Sequence, residues 1–187
     1  MRFNENRPLA WAVLAACVLG SVFGLGGNSL ARERDRVEDY FYDGAETAST
    51  TRSSMDAYLD RAAECAQVMA SEAQLRLGSD NANAQKMLDA LADFGDDDGG
   101  LDARYASYQT LQGLSDQLYN EMYAAKLSDS ERVNFKHAYD DFWGCDKYVR
   151  IDPYRSMASE FNDSLDGFPA SLAAGLWGVD ELNSFGA

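Results

Sequence analysis

The chain is poor in histidine, proline, cysteine and positive charge, and each shortage excludes something. His137 is the only histidine in 187 residues. A histidine triad or a multi-histidine metal site would have to draw its other members from different residue types. By periodicity His137 sits on a helix face, where a structural role is the plainer reading. The three cysteines, Cys17, Cys65 and Cys145, form neither a CxxC pair nor zinc-type spacing. Cys17 reads as a small apolar residue. Whether Cys65 and Cys145 pair is left open, because spacing says nothing about the approach of their Cα atoms. There are 16 Lys and Arg against 31 Asp and Glu, a net charge of −15. Phosphate backbones repel such a chain, which excludes nucleic acid as a partner class. With only three prolines and no run of period-two alternation, helix is the expected class.

Charge is also missing locally. No charged residue lies between Pro8 and Ala31. The stretch LAWAVLAACVLGSVFGLGG within it is apolar or small throughout and long enough for a hydrocarbon core of about 30 Å, which takes roughly 20 helical residues. Residues 9–27 are therefore assigned to a transmembrane anchor, with Leu9, Trp11, Leu14, Val18, Val22 and Leu25 facing lipid, behind a short tail at 1–8. Arg2 and Arg7 flank it on one side, and Arg32, Arg34 and Arg36 on the other, at headgroup level. A competing reading remains open: basic start, apolar middle and Ser29-Leu30-Ala31 also fit a secretory signal cleaved near Ala31. The arginine balance barely specifies orientation; an extracytoplasmic domain is the working expectation.

What is present after Ala31 is a set of three-four apolar spacings. Val37, Tyr40 and Phe41 mark one helix. Met55, Leu59, Ala62, Ala66, Met69 and Ala73 mark a second, stopping near Gly78. Asp80 or Asn81 can cap a short third helix carrying Ala84, Met87, Leu88 and Leu91. After the break Gly95-Asp96-Asp97-Asp98-Gly99-Gly100, a longer helix carries Leu101, Tyr105, Tyr108, Leu111, Leu114, Leu118 and Met122. Ser128 and Glu131 form a capping-box pattern ahead of Phe135, Ala138, Phe142 and Cys145. Asp152-Pro153 signals another start, with Tyr154, Met157, Phe161, Leu165 and Phe168 on one stripe and a short apolar tail after it. Short connections favour antiparallel neighbours. The expected fold is all-α: an elongated antiparallel bundle of about four helices over residues 32–187, preceded by one N-terminal transmembrane helix.

No chemistry stands out from this background. Placing Gly99 at position six of an EF-hand loop puts Phe94 at position one, and placing Gly100 there puts Gly99 at position five, so the acidic run lacks a calcium register. Any spacing of paired carboxylates occurs by chance among so many acids, and the glycines at 20–27 lack the lysine of a phosphate loop. No catalytic residue, cofactor or metal is assigned.

The C-terminal residues carry a pattern of their own. Asp152-Pro153-Tyr154-Arg155, Phe161-Asn162, Leu165, Phe168-Pro169, Leu172, Ala174-Gly175-Leu176, Gly178 and the closing Phe185 resemble the LemA family of bacterial membrane-anchored helical proteins. Phe41-Tyr42-Asp43-Gly44 and Leu59-Asp60-Arg61 add thinner support. Trp177-Gly178-Val179 stands where the family more often has Phe-Gly-Phe. The resemblance implies an anchor kept in the mature, single-pass membrane protein, a LemA-like helical domain over 32–187, and no established enzymatic activity. Tyr154, Phe161, Asn162, Leu165, Phe168, Pro169, Leu172, Trp177, Gly178 and Phe185 are the candidate interaction or motif residues. The expected partners are the lipid bilayer and an unidentified membrane or envelope protein. The alternative is a secreted acidic binding protein.

Overall fold

The fold is described from a computed structural model covering residues 7–44, 46–47, 50–51, 53–95 and 100–185; within these, the side chains of 7–10, 18–19, 22–23, 25, 46–47 and 50–51 are not described. The acidic run Asp96–Asp98 lies outside the described residues. Seven helices follow one another: α1 (Arg7–Asp43), α2 (Met55–Leu77), α3 (Ala82–Phe94), α4 (Gly100–Ala124), α5 (Asp129–Arg150), α6 (Pro153–Leu165) and α7 (Ala170–Trp177). A two-residue antiparallel ribbon, β1 (Glu46–Thr47) with β2 (Thr50–Thr51), fills the Ser/Thr-rich connection.

The all-helical class agrees with expectation, and the count of about four does not. Each break that the sequence marks divides the chain into a separate helix. The Asn81 side chain accepts the Ala84 N–H at 2.8 Å and starts α3 as a separate helix. Gly95 turns the chain before α4. The Asp152 carboxylate accepts the Tyr154 N–H at 2.9 Å, with Pro153 at the first helical position, and this restarts the chain as α6. The expected capping box at Ser128 and Glu131 forms at the head of α5. The tail expected after Pro169 is itself helical, as α7.

Helices α2 to α5 form an up-and-down bundle. Tyr58 stacks on Tyr148 with centroids 4.8 Å apart, and Asn134 donates to Glu72 at 3.1 Å. Advancing along α2 thus means retreating along α5, so the two run antiparallel. Arg104, near the start of α4, reaches Asp56 at 2.6 Å and Asp60 at 2.5 Å near the start of α2, which makes those helices parallel. Its guanidinium also lies over the Phe94 ring at 4.7 Å, tying in the end of α3. The expected α2 stripe is fully buried, and the run Ala62, Ala66, Ala70 and Ala73 lets neighbouring backbones approach closely. Burying each large side chain such as Phe135, Phe142 or Leu118 contributes about 1.5–3 kcal/mol before the ordering cost.

Helices α6 and α7 do not extend this bundle. They pack on α1, whose buried positions Gly27, Val37 and Phe41, with Leu30 and Arg34 partly buried between them, keep the three-four step. Described side chains of α1 before Gly26 are exposed. The helix therefore joins the folded domain at residues 26–27 and projects from it on the N-terminal side.

Candidate interaction surface at the C-terminal motif

The C-terminal motif divides into a buried clamp and an exposed face. In the clamp, the Asn162 amide donates to the Leu182 carbonyl at 2.8 Å and accepts the Leu182 N–H at 2.8 Å, copying a strand partner for one residue of the tail. The buried Tyr154 hydroxyl donates to the Asn183 carbonyl at 2.9 Å. Burial, reinforced by Glu38, pushes this phenol well above the usual tyrosine range. Asn183 in turn accepts the Phe185 N–H at 2.7 Å and donates to Asp102 at 2.6 Å. The Phe185 ring is packed among Tyr105, Phe41 and Tyr154, with centroids 4.8, 5.5 and 6.0 Å away. Phe161 and Leu165 are buried beneath. Tyr154, Asn162 and Phe185 thus fasten the tail to α1, α4 and α6, with Tyr154, Phe161, Leu165 and Phe185 buried and Asn162 half-buried.

Gly178 separates the two parts. Its φ of 64° and ψ of 38° are left-handed and end α7, turning the chain so that Val179 and Leu182 return to the core. On the other side of this turn, Phe168, Leu172 and Trp177 are exposed by 82, 52 and 50%, and Leu176, which is not among the candidate residues, by 73%. Phe168 was expected on the buried stripe of the preceding helix. That helix ends at Leu165, and the chain past it, through Phe168 and Pro169, turns the ring to solvent. The opposite face of α7 is made of small residues, Ala173 and Ala174, which are buried.

Trp177 also has a seat. A Cβ placed on Gly27 would meet its indole Cδ1 at 2.1 Å and Nε1 at 2.2 Å. Only a glycine at position 27 accommodates the ring there, and the C-terminal helix is thereby keyed to the end of the uncharged run. The remaining anchor residues are placed unevenly. Trp11 is 70% exposed and Leu14 is also exposed, while the side chains of Leu9, Val18, Val22 and Leu25 lie outside the described set. Among the described residues, no helix is long and apolar enough to cross a membrane.

Elsewhere the polar groups have structural duties. Asp146, buried between α4 and α5, accepts from Tyr108 at 2.9 Å, from Gln112, and from Arg150 at 2.5 Å. Desolvation, then the Asp146 charge, drives the Tyr108 phenol upward. Cys65 and Cys145 are free thiols on facing helices. Burial, then Cys145 and Asp141, pushes the Cys65 thiol up to about 11, so it is held as the poorly nucleophilic thiol. His137 is exposed in a shallow groove of about 370 Å³ with Cys65, Glu72 and Asp141. Among the described residues, no group of three or more His, Cys, Asp or Glu side chains converges to hold a metal.

No protein-family model, curated protein or solved structure matches the chain.

Proposed function

We propose that the chain is a non-enzymatic, membrane-tethered helical module of LemA-like type, holding an acidic bundle beside a bilayer for interaction with another membrane or envelope protein. The observation that carries this reading is the course of α1. It is one continuous helix from Arg7 to Asp43, packed in the domain from about Gly27 onward, with its described side chains before Gly26 exposed, where its run is uncharged and apolar. A helix apolar all round is accommodated by a protein core or by lipid. No other described part of the chain covers it.

Cleavage near Ala31, as the secreted alternative requires, would cut α1 in mid-helix and remove the Gly27 seat of Trp177. The continuity of α1 thus favours retention. Alkaline carbonate extraction of native membranes tests the tether. The chain is expected to stay with the lipid pellet, and Leu14→Asp combined with Val18→Asp to release it. Release of the unsubstituted chain would end this reading. Cross-linking in the native membrane then identifies the partner.

A further inference from the structure

We infer that α7 is an interfacial helix: the exposed stripe of Leu172 and Leu176, with Phe168 ahead of it and Trp177 on the side packed against Gly27, is immersed in the headgroup region of the same bilayer that holds α1. The inference rests on the proposed tether, and its test separates the two.

The stripe is built for an apolar medium. Leu172 and Leu176 stand one turn apart on one face of α7, Phe168 lies in the lead-in just ahead of Pro169, and all three are more than half exposed. The face behind them is alanine, already committed to the domain. Charge is absent from Gly167 through Val179, with Asp166 and Asp180 just outside. A solvent-facing helix of a strongly acidic domain would be expected to carry some of that charge.

Position then selects lipid as the occupant. Trp177 sits on Gly27, five residues before Arg32, the first charge after the uncharged run. A core-spanning segment of roughly 20 residues that begins near Pro8 ends near Gly27. Trp11 precedes Gly27 by 16 positions, about 24 Å along a helix. The two indoles thus fall near opposite interfaces, where tryptophan concentrates. The acidity of the domain opposes anionic headgroups, so the contact is apolar insertion into zwitterionic lipid.

The test uses the full chain in phosphatidylcholine vesicles, with Trp11→Phe and Trp143→Phe leaving Trp177 as the only indole. A second protein adds Trp177→Phe and Phe168→Trp, reporting from ahead of the stripe. Both reporters are expected to emit at blue-shifted wavelengths. Both should be strongly quenched by lipid brominated near the headgroup end of its chains, and weakly by lipid brominated near the chain ends. Water-like emission at position 168, unaffected by either lipid in vesicles that retain the chain through carbonate, would overturn the inference and leave the tether standing. Blue-shifted emission that ignores brominated lipid and reverts on dilution of the chain in the bilayer would assign the stripe to a second copy, and also overturns it. Loss of the chain from the vesicles in carbonate removes the tether and the inference together.

Discussion

The indole of Trp177 occupies the space that a side chain on Gly27 would need, with Cδ1 2.1 Å from the position of a Cβ. The relation joins residues 150 positions apart, and it sets the C-terminal helix at the end of the uncharged run. Overpacking such a contact costs about 1–3 kcal/mol. Gly27→Ala should therefore lower the unfolding midpoint in detergent and make Trp177 more accessible to acrylamide. Gly24 has nothing within 4 Å of its Cβ position. Gly24→Ala should leave both readouts unchanged or raise stability by up to about 1 kcal/mol through helix propensity.

Asn162 should behave as a two-sided clamp. Asn162→Ala removes both bonds to Leu182, at about 1–3 kcal/mol, and should let a protease cut after residue 178 before the bundle unfolds. Asn162→Asp keeps the acceptor for the Leu182 N–H but sets a carboxylate against the Leu182 carbonyl. Its loss at neutral pH should be partly recovered in mild acid, where a protonated carboxyl can donate. Melting curves at two pH values, compared with the alanine variant, check the difference.

The Asp146 network should be worth more than its separate bonds. Asp146→Ala strands the Tyr108 hydroxyl and the Gln112 amide, a loss of about 1.5–3 kcal/mol for bonds to a charged group. Tyr108→Phe should cost about 1 kcal/mol. The double variant should fall short of the sum by about 0.5–1 kcal/mol, as expected of residues that share one bond in a network. Chemical denaturation of the four proteins measures that coupling.

Thiol labelling follows from burial. Cys65 is raised from 9.0 to about 11, so at pH 8 its thiolate is scarcer than in an unfolded chain by roughly a hundredfold. Iodoacetamide should modify Cys65 slowly in the folded protein, with a rate that keeps climbing above pH 9, where the denatured chain levels off. The sign for stability is the same. Below 9 both states keep the proton, and between 9 and about 11 the unfolded state releases it first, so this contribution to stability is lost as pH rises. Peptide mass spectrometry after timed labelling gives the site-resolved rates.

Much of the bundle was legible because its signals are local. The α2 stripe from Met55 to Ala73, the Asn81 cap, the Ser128 capping box and the Asp152-Pro153 start are all read from neighbours a few residues apart, and each appears as expected. The count of about four fell short of the six helical spacings that the sequence marks, and α7 adds a helix where the sequence shows only an apolar tail. The inward and outward halves of the motif were also hidden. Asn162 and Phe185 look like surface recognition residues until the tail folds back on α6, and that return depends on the left-handed turn at Gly178. Leu176 belongs to the C-terminal pattern, but nothing in the sequence marks it as exposed. Its exposure follows from Ala173 and Ala174 taking the buried side, a choice set by α1 and invisible to periodicity over eight residues. The seat at Gly27 was equally out of reach, since the run around it reads only as small and apolar.

The central claim is that the uncharged run stays joined to the acidic domain. N-terminal sequencing of the mature chain, purified from native membranes, tests it most directly. The account predicts a chain that begins ahead of Pro8, with the whole of α1 retained. A start at Arg32 would contradict it, and would make the protein a released acidic domain without its seat for Trp177.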